Sequence, residues 1–445
     1  MATDLLTIAA SGIRAARAGL DTTAQNIANA DTKGYVRRSV DLAELASPNG
    51  YARISDLSFS GVRVAGFSRD VDAFRQAEVR RTGADSARAG TELDAYRDVE
   101  SALETAGLDT AMTGFETALQ KLTVDPVDPS LRAAALESAR TLARSFNLAG
   151  SELDAAGASL QFSASDGVTQ VNRIAGELGK INLQLARAQP GSADQLTLLD
   201  HRDSLLEQIS GYAGISATFA ENQTVTVRIG GTSGPQLVAG DTATPLSMST
   251  AGDGTLSFAV GAAPVAISTG SLAGQSQGLV LVRDTRSQLD GIAAALASAA
   301  NAAQTSGAAL DGSAGQPLFS GATAKDIAVA LTSGAQLATA PAGSPAGSLD
   351  QAGLAALRSA LSGGNIAGQV SGLLFQVSSA TQGRGVTTEA LGAIALSARQ
   401  ALEVQAGVDL DQEAANLVRF QQAFQASSKA VQVASDLFNS LLAIR

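Results

Sequence analysis

Apolar residues recur every seven positions at both ends of the chain. Near the N-terminus they are Leu6, Ile13, Leu20 and Ile27, with Ala9, Ala16, Thr23 and Ala30 at the intervening three-residue step. Near the C-terminus they are Leu410, Leu417, Phe424, Val431 and Phe438, with Phe420, Ala434 and Leu441 at that step and Glu413 and Ser427 interrupting it. Heptads predict helices with one apolar stripe. Because a lone helix is marginal in water, each of these helices needs a partner.

The interior of the chain combines long helices with one region of strands. Proline breaks helix interiors and is absent from 49–125, 130–189 and 346–445, so long helices are expected there. The predicted interior helices cover 130–189 with a break near 163–167, 194–210, 278–304, 350–361 and 369–405. Polar and apolar residues alternate in Thr224–Ile229 and Thr255–Val260, which predicts half-buried strands. The fold class is therefore mainly α with an inserted β domain (α+β), elongated and multidomain, with a terminal coiled coil.

Composition limits the chemistry available to the chain. The chain has no cysteine, which excludes disulfides, thiol nucleophiles and cysteine zinc sites. It has one histidine, His201. Acidic residues number 42 against 31 basic ones, a net charge of −11, the opposite of what a nucleic-acid binder needs. No run of strongly apolar residues predicts membrane insertion. Asp4, Arg14 and Arg17 argue against a cleaved signal peptide.

Three segments contain residue types that are used in catalysis or ligand binding. Asp200-His201-Arg202-Asp203 places a carboxylate beside a histidine, but neighbours on a helix do not all face one another, and a solvated helix face is the favoured interpretation. Asp409–Glu413 resembles the start of a calcium loop but lacks its glycine and distal glutamate, so helix capping is favoured. Gly383–Gly385 is predicted to be a flexible turn before a helix at Thr388. No catalytic, cofactor-binding or metal site is predicted.

The chain ends resemble a known group of proteins. Asn26-Ile-Ala-Asn-Ala-Asp-Thr-Lys-Gly-Tyr35 is similar to the N-terminal signature of flagellar rod, hook and hook-associated proteins, and 407–445 is similar to their C-terminus. Two interior blocks, Asp125–Arg132 and Leu198–Ser210, narrow the resemblance to the hook-associated proteins of the hook–filament junction. Flagellins lack the N-terminal signature, and residues 215–350 match only loosely.

This resemblance implies a structural role outside the cell, with no enzymatic activity. Such proteins pass unfolded through the flagellar type III export channel without a cleaved signal peptide and assemble as a ring on the hook. The implied partners are further copies of the chain, the hook protein, a second junction protein (hook-associated protein 3) and a cytoplasmic export chaperone that holds the C-terminal helix. Neither nucleic acid nor membrane insertion is implied, and no cofactor.

The resemblance also assigns regions and residues. The terminal domain, 1–80 with 405–445, is expected to be disordered before assembly; 81–212 with 278–404 is a bundle of long helices; 213–277 is a β-rich outer domain; 305–349 is a loop. Axial packing between subunits is assigned to Leu6, Ile13, Leu20, Asn26, Ile27, Asn29, Gly34, Tyr35, Leu410, Leu417, Phe420, Phe424, Val431, Phe438 and Leu441. Chaperone binding is assigned to Leu417, Phe424, Val431 and Phe438.

Two alternatives remain open. A rod or hook subunit would share the chain ends, although those proteins are β-rich inside and the Leu198–Ser210 block argues against them. An enzyme built on 215–350, such as a cell-wall hydrolase, would need a paired acid and base, but the carboxylates there are scattered.

Overall fold

A computed structural model describes residues 2–32, 34–46 and 59–443 of the chain. The helices of these residues are α1 (Ala2–Ala28), α2 (Ala73–Ala106), α3 (Leu108–Leu122), α4 (Pro129–Leu185), α5 (Ala193–Tyr212), α6 (Ser271–Thr305), α7 (Ala352–Gly363), α8 (Ile366–Ala406) and α9 (Leu410–Ala443). The strands are β1 (Arg38–Ala46), β2 (Phe59–Arg69), β3 (Ile215–Phe219), β4 (Val225–Ile229), β5 (Gln236–Ala239), β6 (Thr242–Ala243), β7 (Leu246–Thr250), β8 (Leu256–Val260), β9 (Ala263–Val265), β10 (Gly307–Ala308), β11 (Phe319–Ser320), β12 (Ala328–Val329) and β13 (Ala340–Pro341). The predicted class, long helices with a β-containing part, is confirmed.

The longest helix is α4, with 57 residues. Asp128 caps it by accepting the backbone N–H of Leu131 at 2.8 Å, and Pro129 occupies its first turn, where the missing N–H costs nothing. At 1.5 Å per residue the helix is about 85 Å long, which accounts for the elongated shape. The predicted break near 163–167 is wrong. Gly167 lies inside the helix, where the Leu272 side chain packs close to its bare Cα.

A second helix also continues where a turn was expected. Gly383–Gly385 lies in the middle of α8, and the prediction of a flexible turn is wrong. Arg384 donates a hydrogen bond of 2.9 Å to the buried carboxylate of Glu92 on α2, and the Thr388 hydroxyl donates one of 3.0 Å to the Ala89 carbonyl. These contacts with α2 offset the low helix propensity of the two glycines.

Two hydrophobic cores share α4. The first lies among α2, α3, α6, α7, α8 and the N-terminal half of α4, and includes an edge-to-face contact between Phe115 and Phe319. The second lies between the C-terminal half of α4, α5 and strands β3 to β8. Leu272, at the start of α6, also belongs to this second core, so the predicted β region 213–277 shares its core with three helices. Neither core contains a residue of α1 or α9.

The inserted strands form two small antiparallel sheets, in the orders β3-β4-β5-β6 and β7-β8-β9. Two asparagines of α4 hold these sheets by bonding to strand backbones. Asn182 bonds to both backbone groups of Val225, with its Nδ2 2.8 Å from the carbonyl and its Oδ1 2.9 Å from the N–H. Asn172 does the same at Leu246. Apart from Thr305, the last residue of α6, regular structure in the predicted loop 305–349 is confined to two-residue strands and one 3-10 turn, Gly334–Gln336.

The connector between α1 and α2 contains the antiparallel hairpin β1–β2. It packs on α1 and on α5, and the N–H of Phe67 donates a 2.9 Å hydrogen bond to the carbonyl of Gly191, just before α5. The hairpin thus links the terminal helices to the body of the protein. Among the helices described, none has the length and hydropathy needed to cross a membrane.

Candidate assembly surface

The first and last helices of the chain form an antiparallel pair. Gly12 of α1 faces Ser427 of α9, and Gly19 faces the ring of Phe420. The two contacts are one heptad apart on each helix, so the seven-residue spacing of the sequence is retained. A Cβ on Gly19 would lie 2.5 Å from the Phe420 ring, so glycine at this position allows close approach. We call α1 and α9 together the terminal hairpin.

On α1, the small residues of the predicted stripe are more buried than the large ones. Ala9, Ala16 and Thr23 are buried, and Ala30 beyond the helix is half-buried. The predicted packing residues Leu6, Ile13 and Leu20 are half-buried, and Ile27 is exposed. Short side chains here let α9 approach α1 from one direction and the β1–β2 hairpin from another. On the side of the β1–β2 hairpin, Ser11 Oγ accepts the N–H of Val62 at 3.1 Å.

On α9, the predicted positions divide by burial. Leu417, Phe420, Phe424 and Val431 are half-buried, whereas Leu410 and Phe438 are exposed. The side chain of Leu441 lies outside the described residues. Glu413 and Ser427, which interrupt the apolar series, face the same way as Phe420: Glu413 is 1% exposed and Ser427 contacts Gly12. The polar interruptions are therefore part of the contact.

The Asn26–Tyr35 segment forms the exit from α1. Asn26 is buried; its Nδ2 donates to the Arg38 carbonyl at 2.9 Å, and its Oδ1 accepts the Arg38 N–H at 3.1 Å and the Tyr35 hydroxyl at 2.8 Å. Burial is the largest cause of the raised pKa of Tyr35. Gly34 has a φ of +84°, the positive value expected from its place after the helix. Asn29 is half-buried and bonds back to the Gln25 carbonyl at 2.9 Å.

One buried ion pair ties α9 to the connector. Arg37 Nε donates to a Glu413 carboxylate oxygen at 2.8 Å, and its Nη1 donates to Asp70 at 2.6 Å. Burial disfavours the charge on Arg37, but the hydrogen bonds to Glu413 and Asp70 outweigh it and raise the guanidinium pKa above its ordinary value. Asp409 caps α9, accepting the N–H groups of Asp411 at 2.9 Å and Gln412 at 3.2 Å. The capping interpretation of this acidic segment is confirmed.

A second ion cluster ties the connector to α5. Arg38 lies 2.9 Å from Asp200, and Arg69 lies 2.9 Å from Asp200 and 2.8 Å from Asp203. Arg202 donates to Asp203 at 2.7 Å. The five side chains expose only 5–15% of their surface. The predicted solvated face is therefore wrong for Asp200, Arg202 and Asp203. Arginines of the β1–β2 hairpin cover the two aspartates, and the Phe219 ring and the Gln223 carbonyl contact Arg202.

The two aspartates of this cluster have opposite pKa shifts. Desolvation raises the pKa of Asp200. Desolvation also acts on Asp203, but the charges of Arg202 and Arg69 and their hydrogen bonds outweigh it, so the pKa of Asp203 is lowered. His201 points away and lies 3.1 Å from Glu177 on α4. The cluster positions the connector and brings no histidine to its carboxylates. The described residues contain no group of three or more histidine, cysteine or carboxylate side chains placed to hold a metal ion.

Sequence reasoning missed Gly12, Gly19, Arg37 and Arg69 as contact residues. A signal for the glycines was present, because Ala9, Gly12, Ala16 and Gly19 follow one another at three- and four-residue steps, the spacing of one helix face. No local signal marked Arg37 or Arg69, since their partners lie far away along the chain.

Both ends of the chain match family models for flagellar rod proteins. The model described as flagella basal body rod protein matches residues 6–35, and the model described as flagellar basal body rod FlgEFG protein C-terminal matches residues 400–444. These matches cover α1 with its exit turn, and α9. They define the class as one of flagellar proteins with paired terminal helices.

The interior of the chain identifies the family. The model described as flagellar hook-associated protein FlgK helical domain matches residues 97–319, half of the chain. The chain belongs to the FlgK family of flagellar hook-associated proteins. The resemblance inferred from Asp125–Arg132 and Leu198–Ser210 is thereby confirmed.

Relatives with the name flagellar hook-associated protein 1 are similar over most of the chain. The protein of Salmonella typhimurium is 29% identical over 334 residues, and that of Escherichia coli is 28% identical over 333 residues. Each alignment covers 71% of this chain and 59% of the relative, so the chain spans little more than half the length of these proteins. The flagellar hook junction protein FlgK from Burkholderia pseudomallei matches with 25% identity and a TM-score of 0.48, over 55% of this chain and 46% of that one.

Proposed function

We propose that this chain is a structural axial subunit of the bacterial flagellum, which forms the junction ring between hook and filament and is required for filament assembly. Membership of the FlgK family supports the proposal, as do the relatives named hook-associated protein 1. As a structural component it acts outside the cell without catalysing a reaction. Export without a cleaved signal peptide belongs to the same proposal.

The observation that carries the proposal is the incomplete burial of the terminal hairpin. Leu5 and Ile8 on α1, and Val433, Leu437 and Phe438 on α9, are large apolar side chains with 38–51% of their surface exposed. An apolar edge of this kind marks an interaction surface. Each such side chain that becomes buried contributes about 1.5–3 kcal/mol, so several together favour association.

The contact within the terminal hairpin is made largely by small residues. Gly12 and Ala16 of α1 and Ser427 of α9 bury little apolar surface, and Phe420 packs on Gly19. We expect the hairpin to be marginal in the free chain and to be ordered by neighbouring copies, because the burial must offset the entropy of ordering two helices. The assigned packing residues, such as Leu6 and Val431, are half-buried and so retain surface for a second contact.

Partner contacts follow from the same surface. We propose that copies of the chain pack side by side, with the hook protein below and hook-associated protein 3 above. A cytoplasmic export chaperone would bind α9 through Leu417, Phe424, Val431 and Phe438. The first three are half-buried on the α1 side of α9, so chaperone binding and hairpin formation exclude each other. The chaperone would thus hold α9 until export.

A second candidate function is that of another rod or hook subunit. The terminal family models, which are named for rod proteins, favour it. The interior match to the FlgK helical domain argues for the junction instead, since it covers α4 and α5 and lies outside the terminal helices.

The proposal is tested by restoring motility to cells that lack the protein. The full chain should restore filaments, whereas a chain lacking 405–445 should not. Because neither hydrophobic core includes α9, the truncated chain should still fold, which circular dichroism checks. Normal filaments on cells that make only the truncated chain would refute the role proposed for α9.

A further inference from the structure

A cavity of about 440 Å³ lies away from the terminal hairpin, where α2 meets the end of α5 and strand β3. Its wall includes Arg80 of α2, Ser216 of β3, Thr232 after β4, and Ser268 and Thr269 before α6. We call it the Arg80 cavity. The wall also includes Arg81, which is mostly exposed and pairs with Asp85, and Ser210, whose hydroxyl donates to the Glu207 carbonyl. Two guanidinium and five hydroxyl groups thus border one half-open space that neither the connector clusters nor the terminal hairpin uses.

Arg80 is the buried arginine of this cavity and, unlike Arg81, has no paired carboxylate. Its surface is 9% exposed, and it makes no hydrogen bond or ion pair with any residue in the described parts of the chain. The carboxylates that act on its charge are Asp203 and Glu207. Asp203 is already paired with Arg69 and Arg202, and Glu207 with Arg399. A largely desolvated cation without a paired carboxylate favours an added anion.

The rest of the lining presents hydrogen-bond donors. The hydroxyls of Ser216, Thr232, Ser268 and Thr269 have no partner among the residues described, and each can donate. The 35-residue helix α6 begins at Ser271, directly after this wall, and its N-cap Gly270 supplies no side-chain cap. The amino end of a helix carries partial positive charge and unpaired N–H groups, which favour anions.

The turn after β4 shapes the rim of the cavity. Gly230 and Gly231 have φ values of +81° and +98°, which residues with a Cβ rarely adopt. A Cβ on Gly230 would also lie 2.8 Å from the Val265 side chain. Both conditions call for glycine there, and Thr232, which directly follows Gly231, lines the cavity.

We propose that the Arg80 cavity binds a tetrahedral oxyanion, a phosphate or sulfate group. Arg80 supplies the charge, the hydroxyls of Ser216, Thr232 and Thr269 donate hydrogen bonds, and the amino end of α6 adds a favourable potential. The cavity is larger than one phosphate ion, so it can hold either a free phosphate or the phosphate end of a larger phosphomonoester. The proposal is independent of the junction function.

The test uses the full chain with inorganic phosphate. Phosphorus-31 NMR should show saturable line broadening when the protein is added, and phosphate should raise the midpoint of thermal unfolding more than sodium chloride at equal ionic strength. Arg80→Gln should weaken phosphate binding about tenfold or more, the loss typical of a hydrogen bond to a charged group. Arg97→Gln, which removes an exposed charge from the same helix, should bind phosphate as the unchanged protein does.

A parallel titration with glycerol phosphate separates the two sources of the anion. Tighter binding than inorganic phosphate identifies the end of a larger molecule, and equal or weaker binding identifies the free ion. The proposal is overturned if phosphate acts no differently from chloride, or if Arg80→Gln binds it unchanged. Should Arg80→Gln fail to fold, absence of line broadening with the unchanged protein overturns the proposal by itself.

Discussion

The Nε of Arg37 lies 2.8 Å from a carboxylate oxygen of Glu413, although 376 residues separate the two in the chain. Arg37 belongs to the turn that follows α1, and Glu413 to the first turn of α9. The backbone N–H of Arg37 also donates to the carbonyl of Ala406, the last residue of α8, at 2.9 Å. One residue therefore ties the start of α9 to the connector, which sets where α9 begins to pack along α1.

Replacing Arg37 with methionine should destabilise the docking of α9. The Glu413 carboxylate, 1% exposed, would be left without its partner, a loss of about 2–5 kcal/mol. Hydrogen exchange of the α9 amides should become faster, while exchange in α4 stays the same. Asp70→Asn is the matched control, because it keeps the Arg37–Glu413 pair and removes a more exposed partner. Unchanged exchange in α9 of Arg37→Met would contradict this role.

Gly19→Ala should destabilise the terminal hairpin. The added Cβ would lie 2.5 Å from the Phe420 ring, and such overpacking costs about 1–3 kcal/mol. Gly83→Ala is the matched control: it lies within α2 with no neighbour near its Cβ, so the higher helix propensity of alanine should stabilise the protein by up to about 1 kcal/mol. Urea unfolding followed by circular dichroism measures both. A stabilised Gly19→Ala would show that α9 does not pack here.

Asp203→Asn should lower the free energy of unfolding in a pH-dependent manner. The pKa of Asp203 in the folded protein is below its ordinary value of 3.8, so its contribution is fully present above pH 3.8 and is lost as pH falls through the folded pKa. The variant should be about 2–4 kcal/mol less stable at pH 7 and should approach the unchanged protein in acid. Urea titrations between pH 7 and 2.5 give the difference, and a difference independent of pH would contradict the assignment.

The pKa of Asp200, in the same cluster, is shifted in the opposite direction from that of Asp203. Its pKa is raised by desolvation, so protonation on acidification favours the folded state and its charged form detracts from stability at neutral pH. Asp200→Asn should therefore be less destabilising at pH 7 than Asp203→Asn. The reverse order in the same urea titrations would show that the pairing with Arg38 outweighs desolvation.

Phe424→Asp should weaken binding of the proposed export chaperone to α9. Phe424 lies half-buried on the side of α9 that packs on α1, and loss of an aromatic anchor typically weakens binding tenfold or more, on the order of 2 kcal/mol. Val418→Asp adds the same charge at an exposed position of the same helix and should leave affinity nearly unchanged. Calorimetry compares the two variants. Equal losses would mean that the chaperone does not select this side of α9.

Much of the helical architecture could be predicted from the sequence, because helix periodicity and proline spacing are local signals. The heptads at Leu6–Ile27 and Leu410–Phe438 identified both terminal helices, and the alternation in Val225–Ile229 identified a strand. The errors arose where tertiary contacts override local preference. Gly383–Gly385 is helical because Arg384 reaches Glu92, and 163–167 is helical because α6 packs against Gly167.

The candidate surface was predictable only in part. The Asn26–Tyr35 turn could be recognised because its residues are contiguous. The burial of Asp200 and Asp203 depends on Arg38 and Arg69, more than a hundred residues away, and no local pattern announces such a pairing. Likewise, the heptads indicated a shared stripe, but only the structure shows that the small residues lie at its centre.

Electron microscopy of cells lacking this protein tests the central claim most directly. If the chain forms the hook–filament junction, these cells should carry hooks without filaments and release flagellin into the medium, and supplying the full chain should restore filaments. Full-length filaments on hooks in the absence of the protein would contradict the account.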